Sequence, residues 1–271
     1  MNPALTDQVK QKYAWTAREV IQREFSQLTV LGACCGGSDD GACCSSAGTD
    51  HVHGAGAALN PFGASLYSPS DTASLPSLAV SASCGCGNPT ALVGLATGEV
   101  VLDLGSGSGV DVFLAAGKVG EAGRVYGVDI TDEMVALANS AKRSAGLANA
   151  EFLSGQMEHI PLPEESVDVV ISNCAVNLSQ DKPAVFAEIA RLLRPGGRIG
   201  ICDVVASDAL SPDDRAARGS YVDCFAGALS VSEISEMLKG SGFRDVRVEL
   251  THAVADRMFA AEITGRKSHS G

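Results

Sequence analysis

A glycine-rich turn between a strand-like run and a helix-like run constrains the fold of this chain more than any other feature. Residues 99–104 form a short apolar run that includes Asp103, and residues 110–119 have helical character. Between them lies the sequence Gly105-Ser106-Gly107-Ser108-Gly109. A strand, a glycine turn and a helix in succession are typical of doubly wound α/β domains, which bind ligands beyond the carboxyl ends of their strands. The pattern therefore predicts such a domain, in which the glycines let a ligand approach the backbone closely.

The residues around the turn indicate which ligand it serves. The turn is not followed by the Lys and Ser/Thr of a phosphate-binding P-loop. The second predicted strand ends in Asp129, which is placed to accept hydrogen bonds from both hydroxyls of a ribose. Asp103 adds a carboxylate suited to a positively charged ligand. We therefore predict a sulfonium nucleoside, S-adenosylmethionine (SAM), rather than a dinucleotide; the alternative is a purely structural turn in a flavodoxin-like sheet.

Beyond residue 99 the chain alternates predicted strands and helices. The last two strands have no helix between them, so we expect a hairpin that ends the sheet with an antiparallel strand. This layout predicts an α/β, Rossmann-like class I SAM-dependent methyltransferase fold. The seven expected strands are 99–104, 123–128, 150–153, 167–172, 197–204, 245–250 and 257–265, and the expected helices are 110–118, 132–145, 181–193 and 230–241.

The composition divides the chain into three parts. Residues 1–30 are predicted to form an N-terminal helical lid over the cofactor crevice. Residues 31–89 are rich in Gly, Ala, Ser and Cys, and we expect a flexible segment there. Residues 90–271 are expected to form the methyltransferase domain, with an insertion at about 205–230 that covers the acceptor.

Charge and cysteine content limit the possible partners. A net charge of −12 argues against nucleic acid, which requires a basic face. No apolar run approaches the length of a membrane span and the first residues do not resemble a signal peptide, so we expect a cytoplasmic protein and a monomer. The nine cysteines are an odd number, which argues against a disulfide framework and favours metal, metalloid or redox roles.

Several residues are predicted to contact the cofactor. The third predicted strand is followed by Gln156, which can hydrogen-bond an adenine, and by Met157, which can pack against it. An ordinary loop is the alternative. The other expected cofactor-binding residues belong to the glycine turn and the neighbouring strand ends: Asp103, Gly105, Ser106, Gly107, Gly109, Asp129, Ile130, Met134 and Asn173.

Three cysteines are predicted to meet near the same crevice. Cys86 lies in a CGCG loop before the domain, Cys174 follows the fourth strand and Cys224 lies in the insertion. Three thiolates suit trivalent arsenic, which binds sulfur pyramidally and keeps a lone pair that could attack the sulfonium methyl. From spacing alone, Cys174 and Cys224 could equally be small apolar core residues. Cys202, within the fifth strand, is expected to be a buried thiol.

Four sequence stretches together resemble the arsenite methyltransferases over roughly residues 80–250. They are VLDLGSGSGVDVFLAAGKVG, SNCAVNLSQDK, YVDCFAGALS and CGCGNP. The resemblance implies SAM-dependent methylation of As(III) for arsenic detoxification, with As(III) bound by Cys86, Cys174 and Cys224. It also implies a thiol reductant, thioredoxin or glutathione. An N-terminal cysteine of that family pairs with the loop cysteine during turnover, and the candidates here are Cys34, Cys35, Cys43 and Cys44.

Two other functions remain open from the sequence. A SAM-dependent C- or O-methyltransferase of a small molecule would use the glycine turn and leave the cysteines without a role. A non-enzymatic metalloid-binding protein would use the N-terminal cysteines, with His51 and His53 as further ligands, and leave the nucleoside site without a role. An assay with arsenite, SAM and a thiol separates the three.

Overall fold

The computed structural model describes residues 2–32, 67–73 and 75–268. The N-terminal cysteines at 34, 35, 43 and 44, together with His51 and His53, lie outside these residues. The prediction that one of them is a redox partner or metal ligand is therefore not addressed by the structure.

A seven-stranded sheet forms the centre of the molecule, in the order β3-β2-β1-β4-β5-β7-β6. Strands β1 to β5 pair in parallel, and β7 inserts antiparallel between β5 and β6. This confirms the predicted class I methyltransferase sheet with its antiparallel terminal strand. The strands are β1 Val100–Leu104, β2 Arg124–Asp129, β3 Ala150–Ser154, β4 Val167–Asn173, β5 Leu193–Ala206, β6 Phe243–Ala255 and β7 Met258–Lys267.

Helices lie before and between the strands. Two are bounded by clear capping signals: Asp181 accepts from Ala184 N at the start of α7, and Ser230 and Glu233 form a capping box on α9. Two short 3₁₀ helices, Val176–Leu178 and Tyr221–Asp223, follow β4 and α8. The α-helices are α1 Pro3–Gly32, α2 Pro69–Ala73, α3 Ser77–Ser81, α4 Pro89–Leu92, α5 Val110–Val119, α6 Asp132–Ala145, α7 Lys182–Leu192, α8 Pro212–Ala216 and α9 Val231–Gly240.

The core has two apolar layers because successive strand residues point to opposite faces of the sheet. On β1, Val101 packs with Val112 and Phe113 of α5. Its neighbours Leu102 and Leu104 instead join the layer that contains α7 and α9. Near-continuous burial of β1 and β4 is what a parallel strand covered on both faces requires. Helices on both faces thus leave the carboxyl ends of the strands as the open edge.

Helix α1 lies across that edge and packs on α6. Ala17 and Val20 of α1 contact the same apolar cluster as Met134 and Leu137 of α6. Of the helices within the described ranges, none has both the length and the apolar character needed to cross a membrane.

Candidate active site

A pocket opens at the carboxyl ends of β1, β2 and β4, beneath α1. It is lined by the glycine turn, by the loops after β2, β3 and β4, by the Ser83–Gly85 stretch and by α1. Ten of the eleven predicted cofactor residues line it: Asp103, Gly105, Ser106, Gly107, Asp129, Ile130, Met134, Gln156, Met157 and Asn173. The sequence thus located the pocket wall well, although the roles of individual side chains remain predictions.

The glycine turn holds Asp129 through the backbone. The Gly107 N–H donates to Asp129 Oδ2 at 2.9 Å, and the Thr131 N–H donates to Oδ1 at 2.8 Å. Gly105 has φ 68°, and a Cβ there would overlap the side chain of Ala175, so glycine is required for both conformation and space. Both carboxylate oxygens are therefore fixed by the turns after β1 and β2.

Gly109 differs from the other predicted residues because it does not line the pocket. It caps the N-terminus of α5 with φ 93°, and a Cβ there would lie 2.6 Å from the ring of Phe152. Its role in this structure is the tight packing of α5 against the strand that follows α6.

Two buried carboxylates, Asp103 and Asp111, and the partly buried Asp129 lie together at the pocket. Asp103 is 2% exposed, and its burial, with the charges of Asp111 and Asp129, raises its pKa well above the usual range. Burial also raises the pKa of Asp111 to about 6 and that of Asp129. Desolvation is the first cause of each shift, and for Asp103 the two neighbouring carboxylates add to it. A ligand carrying positive charge would relieve this repulsion.

One hydroxyl and one carboxylate oxygen in the pocket wall are buried without hydrogen-bond partners among the described residues. They are Ser106 Oγ and Asp111 Oδ1. Buried polar atoms are normally paired. The Thr131 side chain acts on the Asp129 carboxylate as a hydrogen-bond donor, so Ser106 Oγ and Asp111 Oδ1 are the two atoms left for a ligand. Together with the acidic interior and the apolar side chains of Met134, Met157 and Val9, they fit a cationic nucleoside such as SAM.

The three predicted arsenic-binding cysteines lie together at one side of the pocket. Cys174 follows β4 directly and lines the pocket. Cys86 is paired with Cys174 as a disulfide, with Cα atoms 6.0 Å apart, and the Cys224 Sγ lies 3.1 Å from the Cys174 carbonyl oxygen. All three are buried in one apolar cluster, which also contains Cys202. Cys202 is 1% exposed, which confirms the prediction that it is a buried thiol.

The thiols are adjacent but do not form a ready three-sulfur site. Cys86 and Cys224 lie behind Cys174 and do not line the pocket. Within residues 2–32, 67–73 and 75–268, no three Cys, His, Asp or Glu side chains are arranged to hold a metal ion. Burial, followed by the charge of Asp203, raises the pKa of Cys224, while Lys12 and Lys182 act to lower it. Cys224 is therefore a protonated thiol at neutral pH.

Residues that the sequence reasoning missed complete the pocket. Thr6, Val9 and Tyr13 of α1 line it. Cys84, Tyr67 and Asp111 line it too. Asp111 carried a usable signal, because it lies two residues after the glycine turn. Tyr67 carried none, since its segment shows no periodicity that would direct it to the sheet.

Comparisons with known proteins agree with this geometry. Residues 95–242 match the methyltransferase domain family. The fold is similar to an arsenic(III) S-adenosylmethionine methyltransferase from Chlamydomonas reinhardtii, with TM-score 0.56 and 34% identity, covering 68% of this chain and 67% of that one. An arsenite methyltransferase from Halobacterium salinarum is 41% identical over 252 residues, or 88% of this chain. The chain belongs to the arsenite methyltransferase family.

Other relatives show a similarity over a shorter range. The human arsenite methyltransferase is 35% identical over 152 residues, which is 53% of this chain. This family member spans 61% of the length of its Halobacterium relative and 40% of the human one. The activity of those longer proteins is therefore proposed for this chain in the next section.

Proposed function

We propose that this protein transfers the methyl group of SAM to As(III) bound by the thiolates of Cys86, Cys174 and Cys224, in arsenic detoxification. One observation carries the proposal. Cys174 lines the nucleoside pocket at the end of β4, and the other two cysteines pack directly against it. A cysteine that served only to pack the core would have no need to line the pocket, as Cys174 does.

The pocket residues would hold and orient the cofactor. Asp129 would accept from the ribose hydroxyls, since both of its oxygens are fixed at the pocket edge. Asp103 would face the positively charged amino-acid part, and Met157 would pack on the adenine. SAM, when bound, supplies an electrophilic methyl group on a sulfonium. The protein's contribution is to hold donor and acceptor in one geometry, which removes much of the entropic cost of a bimolecular reaction.

The cysteines must be reduced before they can bind arsenic. Each sulfur binds as a thiolate, so capture displaces a proton from every thiol, including the buried Cys224. After methyl transfer arsenic is formally pentavalent, and two thiols can return it to the trivalent state as they form a disulfide. A thioredoxin- or glutathione-type reductant, as the cytoplasm would provide, then restores the thiols.

Helix α1 is proposed to be the lid of this site. It is attached at three places: Thr6 Oγ1 accepts from Gln180 Nε2 at 3.0 Å, and Lys12 and Arg18 pair with Asp223 and Glu133. The Asp223 contact links the lid to the insertion that carries Cys224. Closure of α1 would exclude water from the reacting groups.

Product analysis tests the function and separates the alternatives. Reduced protein is incubated with arsenite, SAM and a thiol, and arsenic species are separated by chromatography with elemental detection. We expect methylated arsenic and one S-adenosylhomocysteine for each methyl group on arsenic. Binding of SAM without methylated arsenic would contradict the proposal and favour a C- or O-methyltransferase. Binding of arsenite without binding of SAM would contradict it and favour a metalloid-binding protein.

A further inference from the structure

The side-chain amide of Asn173, the last residue of β4, is fully engaged within the protein. Its Oδ1 accepts from the Cys86 N–H at 2.8 Å and from the Gly87 N–H at 3.3 Å. Its Nδ2 donates to Gly87 O at 2.8 Å, to Tyr67 Oη at 2.9 Å and to Asp111 Oδ2 at 3.1 Å. An amide offers two hydrogens and two lone pairs, so no capacity is left for a cofactor.

Two buried side chains fix the orientation of that amide. The Tyr67 hydroxyl donates to Asp111 Oδ2 at 2.8 Å, which closes a triangle of hydrogen bonds with Asn173. Tyr67 and Asp111 are each 6% exposed. Water therefore does not compete for these bonds, and rotation of the amide would break several of them at once.

The loop that carries Cys86 is shaped to approach this amide. A Cβ on Gly85 would overlap the Asn173 amide, and a Cβ on Gly87 would lie 2.6 Å from the Cys202 Sγ. Glycine at both positions lets the loop backbone lie directly on the ends of β4 and β5. The contact therefore involves backbone atoms of the loop, whose placement also fixes where the Cys86 side chain begins.

We propose that Asn173, held by Tyr67 and Asp111, is the positioning residue that sets the distance between the Cys86 and Cys174 sulfurs. Asn173 is bonded covalently to Cys174 and through hydrogen bonds to the backbone of Cys86. It thus joins two thiols that are 88 residues apart in sequence. The inference rests on the proposed function in one respect: Cys86 and Cys174 need a set distance because they are the proposed arsenic ligands. Its geometry can be tested without methyl transfer.

The test measures the effective concentration of the two thiols. In a glutathione redox buffer, Cys86 and Cys174 lose two electrons and two protons to form their disulfide, and one glutathione disulfide becomes two glutathiones. Mass spectrometry of the peptides that contain the two cysteines gives the equilibrium constant. We expect Asn173→Ala to lower it at least tenfold, and Tyr67→Phe and Gly85→Ala to lower it several-fold, because the loop is no longer held in place.

Asn149→Ala is the matched control. Asn149 is another partly buried amide that holds a loop, donating to Ala116 O and Gly120 O far from the pocket. It should leave the equilibrium constant within twofold of wild type. The dissociation constant of SAM should stay within threefold in Asn149→Ala and should change less than tenfold in the Asn173, Tyr67 and Gly85 variants, whose residues line the pocket. In these three variants the KM for arsenite should rise more than kcat falls.

Two results would overturn the proposal. One is a wild-type equilibrium constant in Asn173→Ala or, if that variant does not fold, in both Tyr67→Phe and Gly85→Ala. The other is a tenfold loss of SAM affinity in Asn173→Ala with the thiol equilibrium unchanged, which would make Asn173 a cofactor ligand. If wild-type protein methylates no arsenic, the proposed function fails while the thiol equilibrium still decides the role of Asn173.

Discussion

At the scale of one residue, the predicted contact between Asp129 and the ribose can be tested by measuring the affinity for SAM. Its carboxylate is fixed by two backbone N–H groups and faces the pocket. Replacement by alanine removes the proposed ribose acceptor and leaves both N–H groups without their partner. We expect Asp129→Ala to weaken SAM binding at least tenfold, measured by calorimetry, because hydrogen bonds to a charged acceptor contribute about 1.5–3 kcal/mol.

Asp132→Ala provides the control for that measurement. Asp132 lies three residues further on, in the first turn of α6, and accepts from Ser154 Oγ at 2.5 Å outside the pocket. Its loss should change SAM affinity less than threefold. Arsenite binding by the reduced protein should be the same in both variants, since neither residue lies in the cysteine cluster. Equal SAM affinity in Asp129→Ala and wild type would contradict the proposed ribose contact.

The position of a site residue could be predicted from the sequence where the residue lies at the carboxyl end of a predicted strand. Asp103 is the last but one residue of β1, Asp129 ends β2 and Cys174 follows β4, so the parallel topology alone brings them to the same edge. Asn173 was correctly placed at the pocket, yet its bonding was not foreseen. Its partners Cys86 and Tyr67 come from loops with no periodic pattern, and only tertiary packing brings them to β4.

At the scale of elements, α1 is the part of the site whose function is most open to test. Lys12 pairs with Asp223 and donates to Val222 O at 3.0 Å, which ties α1 to the insertion. Both charged groups are partly exposed, so loss of this ion pair should lower the free energy of unfolding by less than about 1 kcal/mol. Its effect on closure of the pocket should be larger than its effect on stability.

We therefore expect Lys12→Met to raise the dissociation rate of SAM by about threefold to tenfold, measured by stopped-flow mixing, because opening of a lid limits ligand release. Lys10→Met, on the same helix and outside this pocket, should leave the rate unchanged. Identical rates in Lys12→Met and wild type would show that this contact does not control opening.

The sequence predicted α1 as a helical lid over the cofactor crevice, but the spacing of its residues did not indicate its packing on α6. Its apolar residues are spaced irregularly, so no single stripe indicates a partner surface. The structure shows why: one part of α1 packs on α6 and another part lines the pocket. A helix with two different neighbours has no simple periodicity.

For the whole molecule, the buried charge of Asp203 links stability to pH. Asp203 is 1% exposed, and burial raises its pKa to about 6, although Asn177, Val204 and Lys182 act to lower it. In an unfolded chain the value is about 3.9. The folded state therefore binds this proton more tightly, which contributes stability below about pH 4 that is lost as the pH rises to about 6.

Asp203→Asn removes this titration. Its free energy of unfolding relative to wild type should increase by about 2 kcal/mol between pH 4 and pH 7, measured by urea unfolding at each pH. Asp208→Asn is the contrasting control, because hydrogen bonds from Ser230 and Ser232 lower the pKa of the exposed Asp208. The control should show a change of the opposite sign. A difference between Asp203→Asn and wild type that does not vary with pH would contradict the account.

The fold could be predicted because strands and helices alternate along the sequence. The arrangement of the acceptor site could not be predicted in this way. Seven strands and the helices between them followed from apolar runs separated by glycine turns, and the terminal hairpin followed from a missing helix. Cys86 lies on the loop before α4 and Cys224 at the end of the second 3₁₀ helix, so their contact with Cys174 depends on how these segments fold. Their places along the chain predicted that the three meet near one crevice, but the resemblance to a family was needed to choose a shared role as arsenic ligands over core packing.

A single-turnover experiment tests the central claim most directly. Reduced protein is mixed with a slight deficit of methyl-labelled SAM in the presence of arsenite, and the label in arsenic is followed with time. We predict transfer of essentially all of the label to arsenic in wild type and in Cys202→Ala, whose thiol lies in the same cluster without an assigned role. Cys174→Ser and Cys224→Ser should bind SAM normally and transfer none. Full transfer by either serine variant would contradict the account.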